Sequence, residues 1–229
     1  RDYAVTGVQT CALPIYDMGE KLLLIGGGGH CKSVLDTILS METYSDVAII
    51  DLKENIGKTV LGVPIIGTDD DLANLFDTGY RHAFITLGSI GTPRLRKILY
   101  EAIHEIGFII PNVIDPSATV SEHVSISEGV FVGKGAIVNA GSTIEACAII
   151  NSGAIIEHDC IVGAFAHVAP GATLCGDVTI GTDSHIGANA VVRQGLAIGS
   201  NVLIGIGSVV VGDIQDHIIA FGNPCREAK

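Results

Sequence analysis

The chain has 229 residues, a formal net charge of −12 and a sequence pI of about 4.9. A surface this acidic repels phosphate backbones and argues against nucleic acid as a partner. Apolar runs stay short of the roughly 18 residues that cross a bilayer, so no membrane span is expected. Charged residues make up 17% and mean hydropathy is +0.48, which points to extensive buried or oligomeric surface.

The opening "VTGVQTCALPI" (Val5 to Ile15) is what one frame of a common sequencing-adapter oligonucleotide would encode. Residues 1–17 are therefore expected to be a non-native leader, with Met18 as the native start. A signal peptide fits poorly, because no basic start precedes a continuous apolar core. Cys11 falls in this segment. The six cysteines show no CxxC or metal-type spacing, as reduced thiols in a cytoplasmic protein would.

From Lys21, "KLLLIGGGGH" reads as a buried strand entering a glycine turn, and "CKSVLDTILSM" continues at helical spacing. A second strand, "VAIID", ends at Asp51. A third, "HAFITLG", precedes the amphipathic "TPRLRKILYEAIHEIG". Alternating strand and helix predicts an α/β, Rossmann-like unit over 18–112, with ligands at the carboxyl ends of its strands. Gly26, Gly28 and Gly29 lie where a helix begins and favour an anion such as a phosphate. The dinucleotide fingerprint is incomplete, because its third glycine falls on Cys31 or Lys32, and this demotes NAD. His30 is placed to cap the turn or touch a ligand, and Asp51 to accept from a ribose or base.

Every sixth residue from Ile114 to Val210 is aliphatic, 17 positions in all. The position four further on is small or aliphatic throughout. This period predicts a parallel β-helix over 113–229, in which stacked coils share one core. In "NSGAIIEHDCIVGAFAHVAPGA", Ile156 and Cys160 point inward, which leaves Glu157, His158 and Asp159 on or near the outer wall. At 18 residues per coil, Gly176 lies one coil above His158, and His185 stacks on His167. A histidine beside a carboxylate on an open wall suits general-base work. No nucleophilic Ser or Cys with a glycine elbow accompanies it, so direct transfer is favoured over a covalent intermediate. The alternatives are a solvated or interface histidine and a cation held by His167 and His185. The histidine spacing does not match the three-histidine zinc carbonic anhydrases of similar fold, and no metal is expected.

"LLLIGGGGHCKSVLDTI", "FITLGSIGTPRLRKI" and "INSGAIIEHDCIVGAFAHVAPGATLCGDVTIG" together resemble the hexapeptide-repeat sugar O- and N-acyltransferases. These are the sialic acid O-acetyltransferases and UDP-4-amino-sugar N-acetyltransferases. The resemblance spans Lys21 to Arg226. It implies a left-handed β-helix and a cytoplasmic homotrimer that binds acetyl-CoA between subunits. It also implies a nucleotide-sugar or sialic-acid-type acceptor and a role in bacterial surface-glycan synthesis. Carried onto this chain, it makes His158 the base, Asp159 its carboxylate partner, and Asn151 an orienting residue for acceptor or base. It places His167, Gly176, Gly187, Gly205, Pro224 and Arg226 at acetyl-CoA, although relatives usually carry a smaller residue at Cys225. It places Gly26, Gly28, Gly29, His30, Asp51, Gly88 and Arg94 at the sugar nucleotide, although "SIG" replaces the usual polar pair after Gly88. A same-fold enzyme with another acceptor and a non-catalytic β-helix scaffold are the remaining alternatives. A serine acetyltransferase would carry a helical N-terminal domain instead.

Overall fold

The computed structural model describes residues 19–228. The expected leader, Met18 and Cys11 lie outside the described residues. The first strand, β1 (Lys21–Ile25), leads through the glycine turn into α1 (Gly29–Met41), and β2 (Asp46–Ile50) returns beside β1. A hairpin of β3 (Thr59–Val60) and β4 (Val63–Gly67) follows, then the short α2 (Leu72–Asp77), β5 (Tyr80–Ile85) and α3 (Arg94–Ile106). The sheet order is β3-β4-β2-β1-β5, parallel except for the β3 edge. Alternate residues of β1 feed opposite layers. Leu22 and Leu24 pack with α1 residues Val34, Leu35 and Ile38, while Leu23 and Ile25 pack with Leu72, Leu99 and Ile103 of α2 and α3. Burial on both faces explains why β1 is continuously apolar.

From Val113 the chain winds through two-residue strands that pair parallel, one coil apart, in three long faces, until Ile219–Phe221 pairs antiparallel with Arg226–Glu227 at the end. The register steps by 18 residues, from Ile137 to Ile155 to Thr173 to Val191 to Val209. The sixfold aliphatic set fills the interior: Val132, Ile150, Val168, Ile186 and Ile204 are fully buried. At the first coil, Ile114, Val120 and Ile126 are only partly buried, since no earlier rung covers them. One corner column bears Gly141, Asp159, Asp177 and Gly195, all with left-handed backbone (φ 78, 60, 59 and 68°).

The two parts are locked together. Phe131 and Ile149 of the β-helix belong to the same core as α1. Arg96 of α3 is buried, and its Nη2 donates to the Cys147 carbonyl and its Nη1 to the Phe165 carbonyl. Those carbonyls stand one coil apart on a second left-handed corner column. Tyr100 donates to Glu128 Oε1 at 2.6 Å, and Lys97 pairs with Asp183.

Candidate active site

His158 and Asp159 occupy a corner between two coil strands, where left-handed backbone at Asp159 turns both side chains outward. Asp tolerates that conformation because its short polar side chain bonds locally. Each side chain is 64% exposed. His158 Nδ1–H donates to Asp159 Oδ2 at 2.8 Å, which fixes the tautomer and leaves Nε2 free. That hydrogen bond raises the His158 pKa above the usual 6.5, and the charges of Asp159, Glu157 and Asp177 add to it. Two glycines clear the space. A Cβ at Gly176 would stand 2.6 Å from both Cε1 and Nε2 of His158, and one at Gly141 would overlap Asp159 Oδ1. Asp177, Gln194 and Gly195 complete a cavity of about 170 Å³ over the ring.

Asn151 and His167 are together, but not with His158. Asn151 Nδ2 donates to His167 Nε2 at 3.1 Å, and Asn151 Oδ1 accepts from the Ser152 N–H at 2.8 Å. His167 Nδ1–H donates to the Ser89 carbonyl at 2.9 Å. Both nitrogens of this buried ring are therefore engaged, and neither is left for a cation. His185 stacks edge-on at 4.8 Å, as the 18-residue step requires. Among the described residues no cluster of three or more His, Cys, Asp or Glu side chains is suited to a metal ion.

His30 links this cluster to the glycine turn. Its ring meets Phe131 edge-on at 5.3 Å and lies 6.4 Å from His167, with a buried Nε2 that has no partner within the described residues. Burial, assisted by the Arg96 charge, lowers its pKa to about 4. Burial likewise takes His167 to about 3, outweighing its hydrogen bond to Ser89. In the turn, Cβ atoms at Gly28 and Gly29 would meet nothing, so the start of α1 faces open space and carries no side-chain cap. Asp51 is bound from both sides: Oδ2 accepts from the Gly27 N–H at 2.8 Å and Oδ1 from the Leu52 N–H at 2.6 Å. It pins the turn as well as lining a cavity of about 360 Å³. That cavity has apolar walls from Ile25, Leu52, Leu87, Leu95 and Leu99, with Lys53, Asp69 and Asp70 among its polar groups. It lies at the carboxyl ends of the strands, where open α/β sheets take ligands.

With this geometry in place, comparison with known proteins decides the family. Residues 21–103 match the model of the PglD N-terminal domain, and residues 159–194 match the bacterial transferase hexapeptide (six repeats). The acetyltransferase domain of PglB from Neisseria gonorrhoeae FA1090, in complex with acetyl coenzyme A, is 37% identical with a TM-score of 0.86. That match covers 92% of this chain and 100% of the other. PerB from Caulobacter crescentus, in complex with CoA and GDP-perosamine, is 38% identical with a TM-score of 0.85, covering 93% and 99%. The chain belongs to the hexapeptide-repeat sugar N-acetyltransferases. WeeI from Acinetobacter baumannii AYE shares the fold at 22% identity, with a TM-score of 0.80 over 91% of this chain and 100% of that one. No curated protein matches.

Within this N-acetyltransferase the other expected donor residues differ in what surrounds them. The missing side chain of Gly176 leaves room over a histidine, a gap that a Cβ would fill. Gly187 and Gly205 have a packing reason instead. A Cβ on Gly187 would stand 2.6 Å from Gly205 C, and one on Gly205 would stand 2.7 Å from Phe221 Cβ. Pro224 follows a cis peptide bond beside the buried Cys225, a small side chain that the last coil accommodates. Arg226 donates to the Cys225 carbonyl and lines a crevice of about 290 Å³ at the far end of the β-helix. On the acceptor side, Gly88 packs against His30. Arg94 points elsewhere: it lines a crevice with Lys97, Asp183 and Asn201, while the α3 residues facing the cavity beside Asp51 are Leu95 and Leu99. Sequence reasoning missed those two leucines, Arg96 and Gln194. The i, i+4 spacing of Leu95 and Leu99 on an amphipathic helix would have found the first two, and two 18-residue steps from His158 the last.

Proposed function

We propose that the chain transfers an acetyl group from acetyl-CoA to the amino group of a nucleotide-linked amino sugar, with His158 as general base. The carrying observation is the His158–Asp159 pair with its free Nε2 turned toward the gap left by Gly176. An ammonium has no lone pair, so the acceptor gives one proton to solvent and attacks the thioester carbonyl as the free amine. His158 Nε2 takes the second proton, the one the attacking nitrogen must lose to become an amide, and Asp159 steadies the imidazolium that forms. As the carbon–nitrogen bond forms and the carbon–sulfur bond breaks, His158 returns the proton to the departing thiolate. The PglB domain is described with acetyl coenzyme A, and PerB with CoA and GDP-perosamine, which supports both halves of this reading. On the acceptor side, the open glycine turn and uncapped α1 suit a diphosphate, and the apolar-walled cavity beyond Asp51 suits a base.

A homotrimer with the donor between subunits, a cytoplasmic setting and a role in surface-glycan synthesis belong to the same proposal. The five described cysteines are all free thiols, and none of the described helices is long and apolar enough to cross a membrane. The test is thiol release from acetyl-CoA with GDP-perosamine, a UDP-4-amino sugar, CMP-sialic acid and free sialic acid as acceptors. Release with a 4-amino sugar nucleotide supports the reading, and release with none of the four defeats it. Sedimentation as a monomer would defeat the intersubunit donor site.

A further inference from the structure

Above His158 the corner column reads Gly176 and then Gln194, and the ladder bonds fix that order. Asp177 N–H donates to the His158 carbonyl at 2.9 Å, and Gly195 N–H donates to the Gly176 carbonyl at 3.0 Å. Successive rungs of a sheet stand about 4.8 Å apart, so Gln194 sits about two rungs, roughly 10 Å, beyond the histidine. Gly176 contributes no side chain to the rung between. Gln194 lines the cavity over the ring, is exposed, and makes no side-chain hydrogen bond within the described residues.

A carboxamide offers one face that donates and accepts side by side. An apolar acyl chain laid against it would leave both groups unpaired, which is unfavourable wherever the ligand excludes water. A secondary amide satisfies both. The pantetheine arm of a CoA thioester carries such an amide two methylenes beyond the sulfur, a reach of about one rung. With the thioester carbonyl in the Gly176 gap, that amide falls level with Gln194. We infer that Gln194 is a donor-binding residue that hydrogen-bonds the pantetheine amide nearest the thioester and so sets the depth at which the acyl group sits over His158. This rests on reading the His158 corner as the transfer site.

Isothermal titration of the full chain with CoA, acetyl-CoA and butyryl-CoA tests it. Losing two neutral hydrogen bonds in Gln194→Ala and in Gln194→Leu should weaken CoA and acetyl-CoA alike, by about tenfold. An unchanged melting temperature shows that the variants fold. Wild-type affinity for CoA in either folded variant overturns the inference. So does a variant that only gains butyryl-CoA, since that places Gln194 at the acyl end. If the wild-type chain binds neither CoA nor acetyl-CoA, the transferase reading itself falls, an outcome distinct from both.

Discussion

His158 and His167 stand nine residues apart on the same repeat, yet their pKa values move in opposite directions. His158 follows an inward residue by two positions, falls on a corner, and projects into solvent beside a carboxylate. His167 immediately precedes an inward residue, lies on a flat face, and is buried beneath His30 of α1 and the Ser89 loop. The first keeps a free nitrogen and gains basicity. The second has both nitrogens committed and is held neutral by burial. The repeat thus builds two kinds of histidine from one residue type, and position within the hexapeptide decides which. A base needs the first kind. The second kind braces the α/β domain against the coil stack.

The sharpest way to break this contrast is His158→Ala. Turnover should fall by about 10²–10⁴, the usual contribution of a general base, while acetyl-CoA affinity is retained because the ring is exposed. Full activity in this variant would assign His158 to the solvated surface. Next in size is Arg96→Ala. It leaves two buried carbonyls, of Cys147 and Phe165, without their donor and should lower stability by about 3 kcal/mol, read from the urea midpoint. The activity lost should be recovered with the folded fraction, and the pH profile of His158 on its separate corner should stay in place. A changed profile would mean that the two regions are not independent.

The buried pair makes a prediction about acid. His30 and His167 titrate near 4 and 3 in the folded chain, but near 6.5 when unfolded. Between those values the unfolded chain binds protons that the folded chain refuses, so stability falls as pH drops below about 6.5. The expected slope is about 1.4 kcal/mol per pH unit for each ring, and it ends only near the folded values. Urea midpoints at pH 7 and pH 5 measure it. Burial lowers the stacked His185 too, so His167→Gln should remove part of the loss and leave the shares of His30 and His185. An undiminished loss in that variant would show that carboxylates elsewhere govern the acid limb.

Periodicity carried much of this molecule. A strict step of six, summed to 18, specifies the coil register, the inward pairs and the outward His158. It specifies the stacking of His185 on His167 in the same way. Less of the α/β part was legible. The β3–β4 hairpin turns at Leu61 and Gly62, both in left-handed backbone, yet Leu at such a position gives no turn signal. The Thr68–Asp71 capping box before α2 was visible in principle. The contacts that sequence could not show join segments with no common period. Asn151 reaches His167 across a rung, Ser89 reaches His167 from another domain, and Arg96 reaches two coil corners from a helix. A buried arginine on an amphipathic helix reads as surface until its acceptors are known.

The smallest effect tests the pair itself. The hydrogen bond to Asp159 is the largest cause of the raised His158 pKa, so His158 stays protonated to a higher pH than a free histidine. A general base works only when unprotonated, so the acid limb of the rate profile should lie above the usual 6.5, with rate rising as pH rises through it. Asp159→Asn keeps an oxygen for the Nδ1–H but removes the charge. The limb should then move to lower pH, while a measurable rate remains because Nε2 is still free. The backbone should tolerate the change, since Asn adopts left-handed conformations as readily as Asp. An acid limb that stays where it was would mean that Asp159 orients the ring without tuning it. The contrast with His167 would then rest on burial alone.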